Sequence, residues 1–247
     1  NPAIVKIRDK KLNIMSEYMK NDDRVRIMYA SKYASIANYW KYFIGQNRGI
    51  KNLKVVQKKK EQEAKYLAWA NTQAEKEMYV NALNLVEEAY KELPEYMYVS
   101  MYLAEALWRG SDLIPFSSRF NSLYGELQKP NIDKAKVEEL VNNLKNNIDD
   151  YFANFETALE KEVLGAMLEM FYNDVDAKYH PDFYKIISKK YKLDFQKFAN
   201  YVFSSSMFAN KDKMLTFLSN PNLKTLNKDI VFVMYKSIME VVNANNA

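Results

Sequence analysis

Turn-forming residues are what this chain lacks: 247 residues include five glycines and six prolines. A sheet protein needs Gly and Pro punctuation every few positions, so this scarcity predicts an all-α fold of long helices with few connections. Hydrophobic residues at 48% and charged residues at 27% give the ordinary balance of a soluble globular protein. The length admits one large or two small domains with a substantial core. No apolar run approaches the ~20 residues that span a bilayer, and no charged, apolar, small-residue leader opens the chain. The chain begins Asn1-Pro2 rather than with Met, so the expectation is a processed form or an excised piece of a larger chain.

Periodicity predicts a first helix from Ile4 to Met19. Asn21-Asp22-Asp23 supplies cap oxygens for a second, running to about Gly45, with Gly45 and Gly49 as stop and turn. In that second helix Val25, Tyr29, Ile36, Trp40 and Phe43 form a buried stripe. Residues 52 to 93 read as one long helix or a pair. Pro94 starts another helix, ended by Arg109-Gly110. Ser111-Asp112 is the expected cap of a helix to Leu127. Residues 131 to 174 read as one very long antiparallel helix or two, broken near Asp149. Shorter helices follow at about 183–190, 194–208 and 211–219, then a turn at Asn220-Pro221 and a closing helix at 228–243. The fold expected is an irregular multi-helix bundle with long antiparallel helices in a single domain, 1–247, with a subdomain break near 128–132.

One stripe fits neither water nor core. Ser31, Ser35, Asn38 and Tyr42 share a helix face at i, i+4, i+7 and i+11, polar but uncharged. In a chain rich in Lys and Glu an outer face is normally charged, and an inner one apolar.

Conventional catalytic chemistry is sparse. There is no cysteine, and His180 is the sole histidine, so thiolate chemistry and disulfides are excluded and most acid-base sites with them. Asp174, Asp176, His180 and Asp182 lie close in sequence but match no metal-ligand spacing, and a solvated helix end is the better reading. Glu156 and Glu160, among interspersed lysines, read as a wet helix face. No glycine-rich phosphate loop or Ser-centred elbow is present. Arg48, Lys51, Lys54, Lys58, Lys59 and Lys60 form a basic run, but Glu61 and Glu63 follow at once, so a solvated helix outweighs nucleic-acid binding. The net charge of +5 is a mild excess. No metal, cofactor or nucleic acid is expected.

Residues 22–53, DDRVRIMYASKYASIANYWKYFIGQNRGIKNL, resemble the signature of the bacterial dipeptidyl-peptidase family that includes dipeptidyl-peptidases seven and eleven. KYHPDFYKIISKKYK and SSSMFANKDKMLTFLSNPNLKTLNKD resemble it as well. The resemblance implies a chymotrypsin-type double β-barrel with an inserted helical domain that caps the active-site cleft, in an enzyme that removes dipeptides from peptide N-termini. This chain matches the helical insert. In the family the triad His and Asp precede the insert and the Ser follows it, so no catalytic residue is assigned, and the chain by itself is expected to be inactive.

The resemblance assigns one substrate contact. Asn38, in the ANYW block, falls where a helical-domain Asn helps hold the peptide's free α-amino group; Asn47 is the alternative placement. An amide oxygen accepts from an ammonium without over-binding it through a full charge. The competing reading of Asn38 is a buried amide bonding a neighbouring helix. Tyr39 and Trp40 read as core or cleft wall. The partners implied are a peptide N-terminus and the catalytic β-barrels of the same parent chain, in a periplasmic, cell-surface or secreted setting. The second hypothesis is a free-standing helical binding protein for an acidic partner. An excised cap would expose the face that meets the barrels, so some self-association is expected.

Overall fold

The computed structural model describes residues 2–91 and 93–246. The chain is all-α among the described residues. Two long helices open it, α1 (Pro2–Asn21) and α2 (Asp23–Asn52), followed by the pair α3 (Val55–Ala70) and α4 (Lys76–Ala89). Then come α5 (Leu93–Tyr102), a π-type segment (Leu103–Trp108), α6 (Leu113–Ser118), α7 (Asn121–Leu127), α8 (Lys134–Lys145), α9 (Ile148–Ala153) and α10 (Thr157–Asp174). The tail holds α11 (Phe183–Tyr191), α12 (Phe195–Ser205), α13 (Lys211–Ser219), α14 (Leu223–Lys228) and α15 (Ile230–Asn246), with single 3₁₀ turns at Ala177–Tyr179 and Met207–Ala209.

Asp and Asn side chains start many of these helices. Asp22 accepts from the backbone N–H of Arg24 and Val25, at 2.7 and 3.2 Å. Asp133, Asp194, Asn210 and Asn222 each accept from the N–H three residues on. Each such cap satisfies backbone donors that have no partner inside the helix, worth about 1 kcal/mol. Chain reversals needing left-handed backbone use Lys54 at φ 50°, Lys192 at φ 53° and Leu193 at φ 63°, so the few glycines are not the turn formers.

Several sequence expectations need correction. The second helix does not stop at Gly45 but runs through both glycines to Asn52. A glycine inside a helix costs only about 1 kcal/mol, and its neighbours are good helix formers. The expected helix from 112 to 127 is two, α6 and α7. Ser117 and Ser118 donate to the carbonyls of Ile114 and Pro115, and such side-chain bonding competes with the helical ladder. The stretch from 131 to 174 is three helices, with breaks where Asn147 and Asn154 donate to carbonyls four residues back. The helix expected at 194–208 ends at Ser205, and the closing helix starts at Ile230 behind a short α14 that periodicity did not suggest. Residues 128–132 form a loop, tied at its end by the Asp133 N–H donating to Glu126.

α10 is the central strut: Leu159, Val163, Met167 and Phe171 are fully buried, with α1, α12 and the π-type segment packed around it. A second buried row on α15, Val231, Phe232, Met234 and Ile238, packs chiefly against α6 and α14. α1 and α2 are antiparallel partners joined by Asp22 alone. With 30 residues against 20, α2 outruns α1 by about 15 Å at 1.5 Å per residue. Only its base is anchored in the core, by Val25 and Tyr29. Ile36 is partly buried against that core, and Trp40 and Phe43 are half-buried. Beyond it α4 packs on α3, which also meets α2, leaving Val56, Trp69, Met78, Leu85 and Val86 about half exposed or more.

Candidate functional site

Beneath the base of α2 lies a cluster of buried charge. Glu160 of α10 has no solvent exposure. Its Oε1 accepts from Lys32 Nζ at 2.8 Å and from the Tyr29 hydroxyl at 3.1 Å. Its Oε2 accepts from Ser111 Oγ and from the Asp112 N–H, both at 3.1 Å. Lys32 also donates to Asp112 at 2.6 Å, and Tyr29 receives the Glu156 N–H at 3.0 Å. The wet-face reading of Glu160 is therefore overturned: Lys32 on α2 and the 111–112 turn supply the partners that let a carboxylate be buried. Glu156 remains near the surface, where it meets Arg24.

These partners set the protonation states. Burial alone would raise the Glu160 pKa, but Lys32 and Lys11, with the hydrogen bonds, bring it below the ordinary carboxylate value. Burial likewise opposes the Lys32 ammonium, and Glu160 and Asp112 outweigh it, so its pKa is raised. Asp112 goes up, through burial and the repulsion of Glu160. Lys11, buried and with its ammonium 2.5 Å from the Arg109 carbonyl, is lowered to about 8, by burial first and by Lys32 second. The Tyr29 phenol is held far above its usual range by burial and the charge of Glu160. The cluster is a four-part lock of α1, α2, α10 and the 109–112 turn.

On the opposite side of α2, Ile27, Ser31, Ser35, Asn38 and Tyr42 share one face, and all five are exposed. Asn38 is thus not the buried amide of the competing reading. Asn47, the alternative residue, is half-buried. Gln46 donates to the Tyr42 hydroxyl at 2.6 Å. Trp40 is half-buried, and its Nε1–H is buried with no acceptor among the described residues. An orphan of this kind costs about 1–3 kcal/mol unless another group supplies an acceptor. The face is open surface: a hollow of about 770 Å³ near Asp212, Thr216 and Asp229, and an apolar one of about 380 Å³ near Leu103, Trp108 and Val242, contain no α2 residue.

The other singled-out groups have structural employment. His180 Nε2 lies 2.8 Å from the Val175 carbonyl, with the rings of Phe171, Tyr172 and Tyr184 around it. Asp174 accepts from Lys6 and Tyr102, Asp176 from the Lys178 N–H, and Asp182 from Lys185. Among the described residues no three acidic or imidazole groups converge as a metal site, and no helix is long and apolar enough to cross a membrane. The basic run from Arg48 to Lys60 is exposed throughout. The group that sequence reading missed is the Lys11–Lys32–Glu160–Asp112 lock, whose members come from separate elements with no spacing along the chain to pair them.

A family model described as Peptidase S46 matches residues 1–247. A dipeptidyl-peptidase 7 of Porphyromonas endodontalis is 32% identical over 245 residues, covering 98% of this chain and 29% of its own length. A Porphyromonas gingivalis protein of the same name is 32% identical, covering 100% and 34%. An Asp/Glu-specific dipeptidyl-peptidase of Capnocytophaga gingivalis is 34% identical over 66% of this chain and 23% of its own. Among solved structures, Porphyromonas endodontalis DPP11 superposes with a TM-score of 0.77 at 19% identity, over 100% of this chain and 34% of that one. The same protein in complex with the dipeptide Arg-Glu gives 0.75. The chain spans about a third of the length of the curated relatives it matches.

Proposed function

Because the chain belongs to the peptidase S46 family, we propose that it is the helical part of a serine dipeptidyl-peptidase and caps the cleft in which a peptide N-terminus is held. The observation that carries this reading is the exposed, uncharged outer face of α2, on a chain that spans about a third of its relatives' length. Such a face is suited to lining a cleft shared with further chain, where a peptide backbone is met by hydroxyls and an amide.

In this reading Asn38 accepts through Oδ1 from the substrate's α-ammonium. Holding the amine fixes the distance to the scissile bond, and so makes the product a dipeptide. The nucleophile, base and orienting acid come from the catalytic part of the parent chain, which also sets the preference for the second residue. The buried lock under α2 takes no chemical part; it holds the helix. We further propose a periplasmic or cell-surface setting for the parent enzyme, testable by cell fractionation.

The deciding experiment is Asn38→Ala in the full-length enzyme. A lost hydrogen bond to a charged amine predicts a fall in kcat/KM of about 10- to 100-fold on free-amino substrates. An unchanged rate removes Asn38 from the site, and the same loss in Asn47→Ala instead would move the role there.

A further inference from the structure

Arg8 of α1 stands where three elements meet. Its Nε and Nη2 each lie 2.9 Å from one oxygen of Glu105, a two-pronged pairing. Arg109 Nη1 donates to the same carboxylate at 2.9 Å. The Arg8 guanidinium also lies over two rings of α2, with Cζ 5.3 Å from the Tyr39 ring centre and 5.9 Å from that of Phe43. Both charged side chains are nearly enclosed, Arg8 at 12% exposure and Glu105 at 10%, so solvent and salt screen the pair little. The guanidinium is thus shared between a carboxylate, which takes its Nε and Nη2, and two aromatic rings.

The placement answers a mechanical need. α2 is buried only at its base, where Val25 and Tyr29 are 2% and 1% exposed. No residue past Tyr29 is fully buried, yet the helix runs on for another 23 residues to Asn52. Tyr39 and Phe43 are one turn apart in that under-anchored part, and Asn38 precedes Tyr39. Glu105 lies within the π-type segment, where the Arg109 N–H bonds to the Ala104 carbonyl five residues back. Departures of this kind from α-helical pitch recur at functional sites.

We propose that Arg8, anchored by Glu105, is a positioning residue for substrate recognition: through Tyr39 and Phe43 it fixes the rotation of the distal part of α2, and with it the face that meets the peptide N-terminus. The proposal rests on the reading of that face given above. Lysine does not substitute, because an ammonium has neither the fork for Glu105 nor the plane for the two rings.

The test uses the full-length enzyme, comparing Arg8→Lys, Glu105→Gln and Asn38→Ala. Arg8→Lys is expected to raise KM about tenfold with kcat within about twofold, because the reacting groups lie outside this chain and only binding geometry is disturbed. Amide hydrogen exchange should quicken at residues 33–46 and stay unchanged in α10, α12 and α15. Glu105→Gln keeps the packing but removes the anchor, and should shift KM and exchange the same way to a smaller extent. Wild-type KM in both Arg8→Lys and Glu105→Gln overturns the proposal, whatever Asn38→Ala does. Faster exchange across the whole domain with a matching fall in kcat also overturns it, since that is the mark of general destabilisation. If Arg8→Lys raises KM while Asn38→Ala is inert, the positioning role stands and the assignment of Asn38 falls.

Discussion

Glu160→Gln isolates the buried charge, since it keeps the size and removes one ionised group. The wild-type carboxylate is fully buried and accepts from four donors, two at each oxygen. An amide presents one acceptor oxygen and one donor nitrogen, so two donors lose their acceptor. If the nitrogen takes the Oε2 position it confronts the Asp112 N–H; in the Oε1 position it confronts the Lys32 ammonium. Removing one partner of a buried pair costs about 3–5 kcal/mol, and Lys32 keeps Asp112 at 2.6 Å, which argues for the lower end, about 3 kcal/mol. For a chain of 247 residues each kcal/mol moves Tm by about 2–4 °C, so melting followed by circular dichroism at pH 7 should fall by about 6–12 °C. A shift under about 2 °C would refute the reasoning that this pair bears on stability.

The remaining stability predictions concern Lys11 and Gly110. Lys11 is lowered from 10.5 to about 8, so between those values the unfolded chain keeps a proton the native chain has released, and stability rises with pH. The gain by pH 10 is roughly 2–3 kcal/mol; the raised pKa of Lys32 opposes it only above about 10.5, where native Lys32 stays charged after its unfolded counterpart has lost its proton. Lys11→Met should flatten the Tm profile between pH 8 and 10, and parallel profiles for the two proteins would exclude Lys11 as the titrating group. At Gly110 a Cβ would fall 1.9 Å from the Ala106 carbonyl oxygen and 3.1 Å from Met167 Cβ, both in rigid surroundings. Gly110→Ala should cost about 3 kcal/mol in urea unfolding, and a wild-type midpoint would show that the π-type segment yields more easily than its packing suggests.

What could be read in the sequence follows what is local. The scarcity of glycine and proline dictated helices, and Asp22, Pro94 and the 220–221 turn marked boundaries through their own side chains and rings. The same local logic failed at Gly45 and Gly49, where helix continuation costs so little that glycine is not a stop. It failed again across 131–174, where asparagines bond back to the helix and end it. The uncharged face of α2 was visible because helical period projects it onto one stripe. The lock beneath was not, because Lys32 and Glu160 are 128 residues apart and no pattern along the chain pairs them. Arg8 and Glu105, separated by 97 residues, were hidden for the same reason.

The single residue between α1 and α2 also orders events in time. Closing a loop costs entropy that grows with its length, so a hairpin whose loop is Asp22 alone closes almost for nothing. It is also the first part of this chain to be synthesised, complete well before Glu105 or Glu160 is made. The early hairpin therefore presents Arg8, Lys11 and Lys32 as waiting cations. The later segments bring the acids, and each arrival fastens a distant stretch onto a template already formed. The expected order of folding is a zipper closed at one end and then bolted from the other, and pulse-labelled hydrogen exchange should find α1 and α2 protected before α10.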